Sequence, residues 1–387
     1  MTLNSEGHLD DTNGLRGFGP SGQMGIGEHL PEVDVVICAY TAARESLLRR
    51  AIASVIEQGQ AKRVIVVIDY SSALFGRLSG DESLGECVAV VENVHQQGLS
   101  GARNTGIEYA QSDVVAFLDD DACADPGWLR AIRRAHADSA VVGTGGWVAP
   151  NWEDGEVPAW LPEEFWWTVG CSYRGLPSAG VQEIRNPIGA NMSFRRDLVT
   201  AVGGFRSGLG RIGTVPLGCE ETEAAIRIRA YAPGGRIVHL TDARVGHYVP
   251  RSRTTWSYFR GRCLAEGRSK ALVAGLVGTE AGLSSERRYV LRVLPLGVLH
   301  GLRDASRGDR AGLYRSGAIL AGVSLTGFGY LAGRLEARDV GALRQRRLVA
   351  SGVAAMLLVS SVVHHIRQMT RRGTSAVARR RFGRGQP

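Results

Sequence analysis

Three consecutive carboxylates, Asp119, Asp120 and Asp121, follow the apolar run Val114–Leu118 and are the residues best suited to chemistry. Adjacent carboxylates at the end of a buried strand repel one another unless a cation neutralises them. Oxygen ligands of this kind suit Mg²⁺ or Mn²⁺, which also accept phosphate oxygens. The run predicts a divalent-metal site that holds a diphosphate, although a solvated acidic turn at a helix start would have the same composition.

Two neighbouring features favour the metal interpretation. Asp69 ends a second apolar run, Arg63–Ile68, and the segment 98–104 supplies a loop of small residues, a helix start and Arg103. Small residues let backbone N–H groups approach an anion, and arginine pairs with phosphate. These residues together predict a phosphate-binding site near the triple acid.

The elements that position these residues alternate between strand and helix. Apolar, β-branched runs predict strands at Val33–Ala39, Arg63–Ile68, Cys87–Val91 and Val114–Leu118. Helical spacing predicts helices over 43–57, over 100–110 with Ser100 as N-cap, and after Pro126. This alternation predicts an α/β fold with a mostly parallel sheet, whose ligands bind outside the carboxyl ends of the strands.

Composition limits the class of protein. The 387 residues, 44% hydrophobic and 22% charged, are enough for one large or two ordinary globular domains and exclude wholesale disorder. None of the six cysteines forms a C-x-x-C pair, so zinc-ribbon spacing is excluded and reduced thiols in a cytosolic compartment are expected. Residues 1–32 are polar and Gly-rich without an apolar signal segment, so we expect the body to stay in the cytoplasm.

The positive charge is concentrated at the C-terminus. Residues 334–387 carry 12 Arg and two acids, so the tail has a net charge of +10 and the rest of the chain −2. Beside this tail lie two uncharged runs, Ser316–Gly333 and Leu348–Val363, each shorter than the ~20 residues of a membrane span. Peripheral attachment to an anionic membrane is the favoured interpretation, and a spanning helix or a soluble helical cap remain alternatives.

Five segments in order resemble glycosyltransferase family 2, which has the GT-A fold, in an actinobacterial-type member. The segments read V-V-I-C-A-Y-T, V-I-V-V-I-D, G-L-S-G-A-R-N-T-G, V-V-A-F-L-D-D-D and G-C-E-E-T-E. The resemblance covers about residues 33–250. It implies an inverting transfer of a sugar from a nucleotide-sugar donor, UDP- or GDP-linked, to an acceptor hydroxyl, assisted by Mn²⁺ or Mg²⁺.

The resemblance also implies roles for the donor-side residues. The nucleotide and donor would be bound by Ala39, Tyr40, Thr41, Arg44, Asp69, Arg103, Asp119 and Asp120. Within this set Asp69 would hydrogen-bond the base. The metal would be held by Asp119 and Asp121, as in the family's D-x-D motif, with His247 as a further ligand.

On the acceptor side, Glu221 would be the general base that deprotonates the attacking hydroxyl, and it stands where the family commonly has Asp. The acceptor or sugar would be contacted by Asn191, Glu220, Trp166 and Trp167. A second departure is Ile68-Asp69-Tyr70-Ser71 in place of Asp-Asp-Gly-Ser after the second strand. Because one acid and the glycine are missing, the contacts to the base of the nucleotide are expected to differ from those of the family.

The expected organisation follows from these assignments. The segments are a flexible leader 1–32, a GT-A domain 33–265 with nucleotide half 33–125 and acceptor half 126–265, a helical membrane-associated region 266–370 and a basic tail 371–387. If the membrane attachment holds, the acceptor is a cell-envelope glycan or a polyprenyl-linked glycan at the inner face of the cell membrane.

Other classes fit less well. A P-loop enzyme is excluded because neither Lys62 nor Lys270 follows a glycine, and the G-x-G-x-x-G match at 17–22 has no strand before it. A sugar nucleotidyltransferase would need a Gly-rich loop after the first strand, which is missing. Nucleic-acid binding is not expected from a net acidic body. A catalytically inactive sugar-nucleotide-binding protein is the remaining alternative.

Overall fold

A computed structural model of the protein describes residues 30–211, 218–278 and 288–336, and the described part from residue 31 onward belongs to one compact unit. The strands are β1 (Val33–Ala39), β2 (Arg63–Ile68), β3 (Val88–Glu92), β4 (Val114–Asp119), β5 (Ala122–Ala124), β6 (Val141–Trp152), β7 (Val181–Glu183), β8 (Asn191–Arg195) and β9 (Arg236–Val249). The helices are α1 (Glu45–Ile56), α2 (Ser72–Leu78), α3 (Leu99–Tyr109), α4 (Trp128–His136), α5 (Arg196–Ala201), α6 (Glu220–Tyr231), α7 (Trp256–Val277), α8 (Leu294–Ser306) and α9 (Ala311–Glu336).

All nine strands form one sheet in the order β3-β2-β1-β4-β8-β6-β9-β5, with β7 paired to β9. Strands β1 to β4 are parallel, and β8 then runs antiparallel to both β4 and β6. Strands β6 and β9 are parallel to each other, and β5 and β7 are antiparallel to β9. The predicted α/β class is confirmed, with a parallel first half and a mixed second half.

The predicted strands and the first helix occur within a residue or two of their expected bounds, but the N-cap of α3 was wrongly predicted. Helix α3 begins at Leu99, and its cap is Gly98 with φ 125°, a backbone conformation that glycine adopts without strain. The Ser100 side chain instead points inward and donates to the Leu209 carbonyl at 2.7 Å. Pro126 also stands two residues before α4, whose cap is Gly127.

Helix α3 packs against β1 through Gly106. A Cβ atom at this position would lie 2.4 Å from Cγ1 of Val36, which is buried in the sheet. We therefore expect Gly106→Ala to lower the free energy of unfolding by about 1–3 kcal/mol, because the helix must shift away from the strand. Denaturant unfolding measures the change. Gly76→Ala in α2, where a Cβ meets nothing within 4 Å, is the control and should instead stabilise by about 0.5–1 kcal/mol.

Helix α9 packs against α7 and against Phe165 through small residues. Gly322 faces the Phe165 ring, Gly329 faces the Leu264 carbonyl and Gly333 faces the Ala271 methyl, at distances that leave no room for a side chain. The outward face of α9 carries large apolar residues that are 54–66% exposed. We call them the apolar face of α9: Leu313, Leu320, Phe328, Leu331 and Leu335. The usual order of a soluble amphipathic helix, with large apolar residues inside, is reversed here.

Several expectations lie outside the described residues. They are the leader up to residue 29, the apolar run 348–363 and the basic tail 371–387. The boundary proposed at residue 265 falls inside α7, which runs without interruption from Trp256 to Val277. The division into domains otherwise stays a prediction. All six cysteines lie in the described residues and none forms a disulfide.

Candidate active site

The carboxyl ends of β1, β2 and β4 meet at one edge of the sheet. In the register, Cys38 lies opposite Asp119 and Ala39 lies opposite Ile68, so the residues that follow each strand are neighbours. This edge forms one wall of a cavity of about 1060 Å³. The cavity lining includes these residues predicted from the sequence: Ala39, Tyr40, Arg44, Asp69, Arg103, Asp119, Asp120, Asp121, Trp167, Glu220, Glu221 and His247.

The candidate metal centre is formed by Asp119, Asp121 and His247. One potential ligand atom from each residue lies within 4.8 Å of the other two. Strand β9 brings His247 to this position because it pairs with β5, where Ala122 lies opposite His247. A nitrogen and two carboxylate oxygens suit a divalent ion such as Mn²⁺. The geometry supports the sequence-based assignment of His247 beside the D-x-D acids.

Three cationic side chains surround Asp121. Its carboxylate lies 3.1 Å from His247 Nε2, 3.0 Å from Arg44 Nη1 and 3.4 Å from Arg253 Nη2. Burial opposes ionisation of Asp121, but His247 and Arg253 outweigh it and hold its pKa below the usual range. Burial likewise opposes protonation of His247, yet the Asp121 carboxylate raises its pKa well above 6.5. Metal binding at this site must therefore displace a proton from the imidazole.

Asp120 has a different environment from its two neighbours. Its Oδ1 accepts a hydrogen bond from Arg44 at 2.8 Å, while its buried Oδ2 has no hydrogen-bond partner among the described residues. Burial and the adjacent Asp121 raise the pKa of Asp120 to about 7. Arg44 also donates to the Tyr40 hydroxyl at 3.0 Å and so connects the end of β1 to the acids after β4.

The acidic pair Glu220-Glu221 opens α6 and lines the same cavity. Cys219 precedes it with φ 70°, and this turn directs the start of the helix into the cavity. Glu220 is fixed by Arg103, whose Nη1 donates to its carboxylate at 2.7 Å. Glu221 has no such cation at bonding distance among the described residues, and its carboxylate accepts from the Thr222 hydroxyl at 3.0 Å. Burial and the neighbouring Glu220 raise the pKa of Glu221 to about 8, a value suited to a general base.

Asp69 holds the loop at Gly98 in place, and Arg103 follows that loop on α3. Both Asp69 oxygens accept from the Gly98 N–H, at 3.0 and 3.2 Å, and one also accepts from Asn93 at 2.7 Å. Arg103 is 2% exposed and lies over the Phe117 and Phe205 rings. Both residues line the cavity, and their contact with a nucleotide stays a prediction.

Three predicted residues are not among the described cavity-lining residues. Asn191 is buried in the sheet, where its amide accepts from Trp128 Nε1 at 2.8 Å and donates to the Ala243 carbonyl at 2.8 Å. Trp166 packs edge-to-face against Trp152. Thr41 caps the short 3₁₀ turn after β1. The structure gives these three side chains packing and capping contacts rather than a place in the cavity.

The sequence analysis missed the lining residues from the C-terminal part of the chain. Among them are the charged residues Arg253, after β9, and Arg262, Glu266 and Lys270 on α7. The spacing of four residues along one helix was visible in the sequence, but nothing in the sequence placed that helix beside the acids.

Comparison with known proteins identifies the family of this chain. The Glycosyl transferase family 2 profile matches residues 34–203. The chain is 31% identical over 307 residues to glucosyl-dolichyl phosphate glucuronosyltransferase of Haloferax volcanii, covering 79% of this chain and 96% of the relative. It is 29% identical over 223 residues to pre-mycofactocin glycosyltransferase of Mycobacterium tuberculosis, covering 56% of this chain but only 45% of that relative.

Among solved structures, a mannosyltransferase from Pyrobaculum calidifontis in complex with GDP-Man and Mn²⁺ aligns with a TM-score of 0.47 at 16% identity. That alignment covers 76% of this chain and 87% of the mannosyltransferase. The Haloferax enzyme is matched over nearly its whole length, and the motifs occur in the predicted order. This chain therefore belongs to glycosyltransferase family 2.

Proposed function

We propose that the protein is an inverting glycosyltransferase that moves a sugar from a UDP- or GDP-linked donor to a hydroxyl of a lipid-linked acceptor. One observation carries the proposal: the Asp119, Asp121 and His247 cluster and the Glu221 carboxylate line the same cavity. A donor diphosphate held at the cluster and an acceptor hydroxyl held at Glu221 can then meet in one space. Direct attack by a hydroxyl that Glu221 deprotonates displaces the diphosphate and inverts the anomeric centre.

The residues have separate tasks in this mechanism. A divalent ion held by Asp119, Asp121 and His247 would neutralise charge on the departing diphosphate. Glu221 accepts the proton of the attacking hydroxyl, and its raised pKa matches that task. Arg103 pairs with Glu220 and so keeps the neighbouring carboxylate from taking Glu221's place.

The nature of the acceptor is inferred from the C-terminal part of the cavity lining. This part includes the apolar residues Val290, Val293, Leu294 and Val323. Apolar lining of this kind suits a lipid chain better than a free sugar. The Haloferax relative, by its name, acts on a glucosyl-dolichyl phosphate, which agrees with a lipid-linked acceptor.

The C-terminal helices support a location at the inner face of the cell membrane. Helix α9 is long and apolar enough to cross a membrane by length and composition, and 28% of its apolar window is buried. Its inner face is packed along α7, which carries the exposed Arg268 paired to Glu336. Because those charges oppose full insertion, we place α9 in the plane of the bilayer surface with its apolar face in the lipid.

The membrane assignment predicts the effect of a triple variant. We expect the triple variant Leu320→Asn, Phe328→Asn, Leu331→Asn to partition into anionic vesicles about 100-fold less or weaker still. Each substitution removes about 1.5 kcal/mol or more of the free energy gained by burying that side chain in the lipid. Co-sedimentation with vesicles in 0.5 M salt measures this partitioning. The salt is added because it screens the attraction between the basic tail and the anionic lipids.

A matched control tests whether this loss belongs to the apolar face of α9. The control protein carries Val94→Asn, Val157→Asn and Tyr231→Asn, which replace exposed apolar residues that precede α7 in the chain. It should bind vesicles as the unmodified protein does. Equal binding by all three proteins would contradict the assignment.

The proposed reaction is tested with a donor panel. Purified protein with Mn²⁺ is incubated with common UDP- and GDP-sugars and a prenyl-phosphate glycoside in vesicles. Transfer from one donor with inverted anomeric configuration, observed by NMR, would support the proposal. Retained configuration, or hydrolysis of the donor without transfer, would contradict it.

A further inference from the structure

The imidazole of His247 is contacted at both of its nitrogens. Its Nε2 faces the Asp121 carboxylate at 3.1 Å, and its Nδ1 lies 3.8 Å from the Sγ atom of Cys171. His247 and Cys171 are 2% and 0% exposed, and both line the active-site cavity. The buried thiol is therefore the neighbour of the ring nitrogen that does not pair with Asp121.

Gly170 packs against the same ring. A Cβ atom on Gly170 would lie 3.3 Å from Cε1 of His247, which is closer than ordinary van der Waals contact. Gly170 has φ 86°, a left-handed conformation that glycine adopts without strain. Two consecutive residues thus reach the imidazole, Gly170 through its backbone and Cys171 through its thiol.

The turn 170–172 that carries these contacts is fixed by hydrogen bonds. Its first two N–H groups donate to the carbonyls of Trp167 and Trp166, at 3.0 and 3.1 Å. Ser172 joins the turn to β6, since its N–H donates to the Val148 carbonyl at 2.9 Å and its hydroxyl accepts from the Val148 N–H at 2.9 Å. Strand β6 is the parallel neighbour of β9, the strand that carries the imidazole. The turn and the ring are therefore held by adjacent strands of one sheet.

We propose that Cys171 is a positioning residue that holds His247 in the orientation and tautomer needed to bind the divalent metal, an assignment that rests on the metal centre of the proposed function. An imidazole that binds a metal through Nε2 carries its proton on Nδ1, and the partner of that N–H fixes the ring. With the proton in this position, Nδ1–H donates to Sγ of Cys171, an uncharged and weak acceptor. The alternative is that the thiol only fills space beside the cavity.

The test measures Mn²⁺ binding without donor or acceptor. Full-length protein is titrated with Mn²⁺ at constant pH, and free Mn²⁺ is followed by EPR. Cys171→Ala is expected to weaken the Mn²⁺ affinity by about tenfold, because the imidazole loses the partner of its Nδ1–H. Cys171→Ser returns a hydroxyl acceptor and should bind Mn²⁺ more tightly than Cys171→Ala does. An undiminished affinity in Cys171→Ala, or equal losses in the two variants, would overturn the assignment.

A double-mutant cycle separates positioning from the filling of space. If Cys171 acts through the imidazole, Cys171→Ala should change the Mn²⁺ affinity by no more than about twofold in a protein that already carries His247→Ala. A loss of about tenfold that persists in this background would show that the thiol has only a structural role. An unchanged affinity in His247→Ala alone would also contradict the proposal, because His247 would then not hold the metal.

Two matched variants control for the substitutions themselves. Cys263→Ala removes another fully buried thiol, on α7, and should leave the Mn²⁺ affinity within about twofold. Gly170→Ala should weaken Mn²⁺ binding by at least about threefold, because its methyl group must displace the ring. Gly234→Ala, at φ 87° and with nothing within 4 Å of the added Cβ, should not weaken it. Thermal unfolding of each variant sets a titration temperature at which all of them are folded.

The outcome is independent of sugar transfer. A protein that shows the expected cycle but transfers no sugar from any donor would contradict the proposed function and leave the role of Cys171 standing. A protein that transfers sugar with Mn²⁺ but binds the metal equally well without the thiol would overturn the role of Cys171 and leave the transferase function standing.

Discussion

Glu221→Gln is expected to lower kcat by about 10²–10⁴-fold while leaving donor affinity nearly unchanged. The amide keeps the size of the side chain and its contact with Thr222, but it cannot accept a proton from the acceptor hydroxyl. Donor affinity should persist because the residues of the metal cluster remain in place. Transfer kinetics and donor-induced thermal stabilisation measure the two effects separately.

The same residue predicts the pH dependence. Only the ionised carboxylate can act as base, and burial with Glu220 raises the pKa of Glu221 to about 8. The rate kcat/KM should therefore rise with pH through about 8 and level off above it. The Glu221→Gln variant should show no such rise.

A matched glutamate substitution controls for a general effect of lost charge. Glu108 is exposed on α3, where it pairs with His95 at 2.7 Å, and Glu108→Gln should leave both the rate and the pH profile unchanged. Turnover of the Glu221 variant within fivefold of the unmodified protein would assign the base to another group. A separate outcome is that the unmodified protein itself shows no turnover. That result would favour the catalytically inactive sugar-nucleotide-binding protein.

The first half of the sheet was predictable because its strands are buried on both faces. Continuous apolar runs such as Val33–Ala39 and Arg63–Ile68 have few alternatives to a central parallel strand. The positions of Asp69 and Asp119 at one edge then follow from topology alone. The second half was less predictable, since its long strands β6 and β9 carry irregular registers and pair with segments distant in the chain.

Within the candidate site, residue types were easier to predict than their partners. A single sequence suggests that Arg103 is important, but not that it fixes Glu220 across 117 residues of chain. The resemblance implied that Asn191 contacts the acceptor or sugar, yet the fold uses its amide to join Trp128 to the Ala243 carbonyl. Such assignments depend on which strands become neighbours, and local spacing does not contain that information.

In the C-terminal region too, the sequence pattern did not show which segments become neighbours. The uncharged run Ser316–Gly333 indicated an apolar helix without showing which face would be covered. The structure buries its small residues, including Gly322 and Gly329, and exposes the apolar face of α9. Close packing through glycine requires a specific partner helix, which the sequence pattern of one helix cannot identify.

Asp121→Asn is expected to abolish metal-dependent donor binding and to lower kcat by about a thousandfold, because a metal ion is worth several kcal/mol to the departing diphosphate. The substitution also leaves His247 and the 10%-exposed Arg253 without their shared carboxylate, so some loss of stability is expected. Thermal unfolding of the variant without ligands measures that loss. Donor and Mn²⁺ titrations then measure binding at a temperature where the variant is folded.

Chelation of the unmodified protein separates loss of metal from loss of folding. EDTA should remove donor stabilisation, and excess Mn²⁺ should restore it in the unmodified protein but not in Asp121→Asn. Asp125→Asn is the control, since this exposed acid lies just past β5 and pairs only loosely with Arg244, at 3.7 Å. The apparent Mn²⁺ affinity should also fall as pH is lowered, because the metal must displace the proton that Asp121 favours on His247. Donor binding that is equally strong with EDTA and in Asp121→Asn would show that the acids serve the donor without a metal.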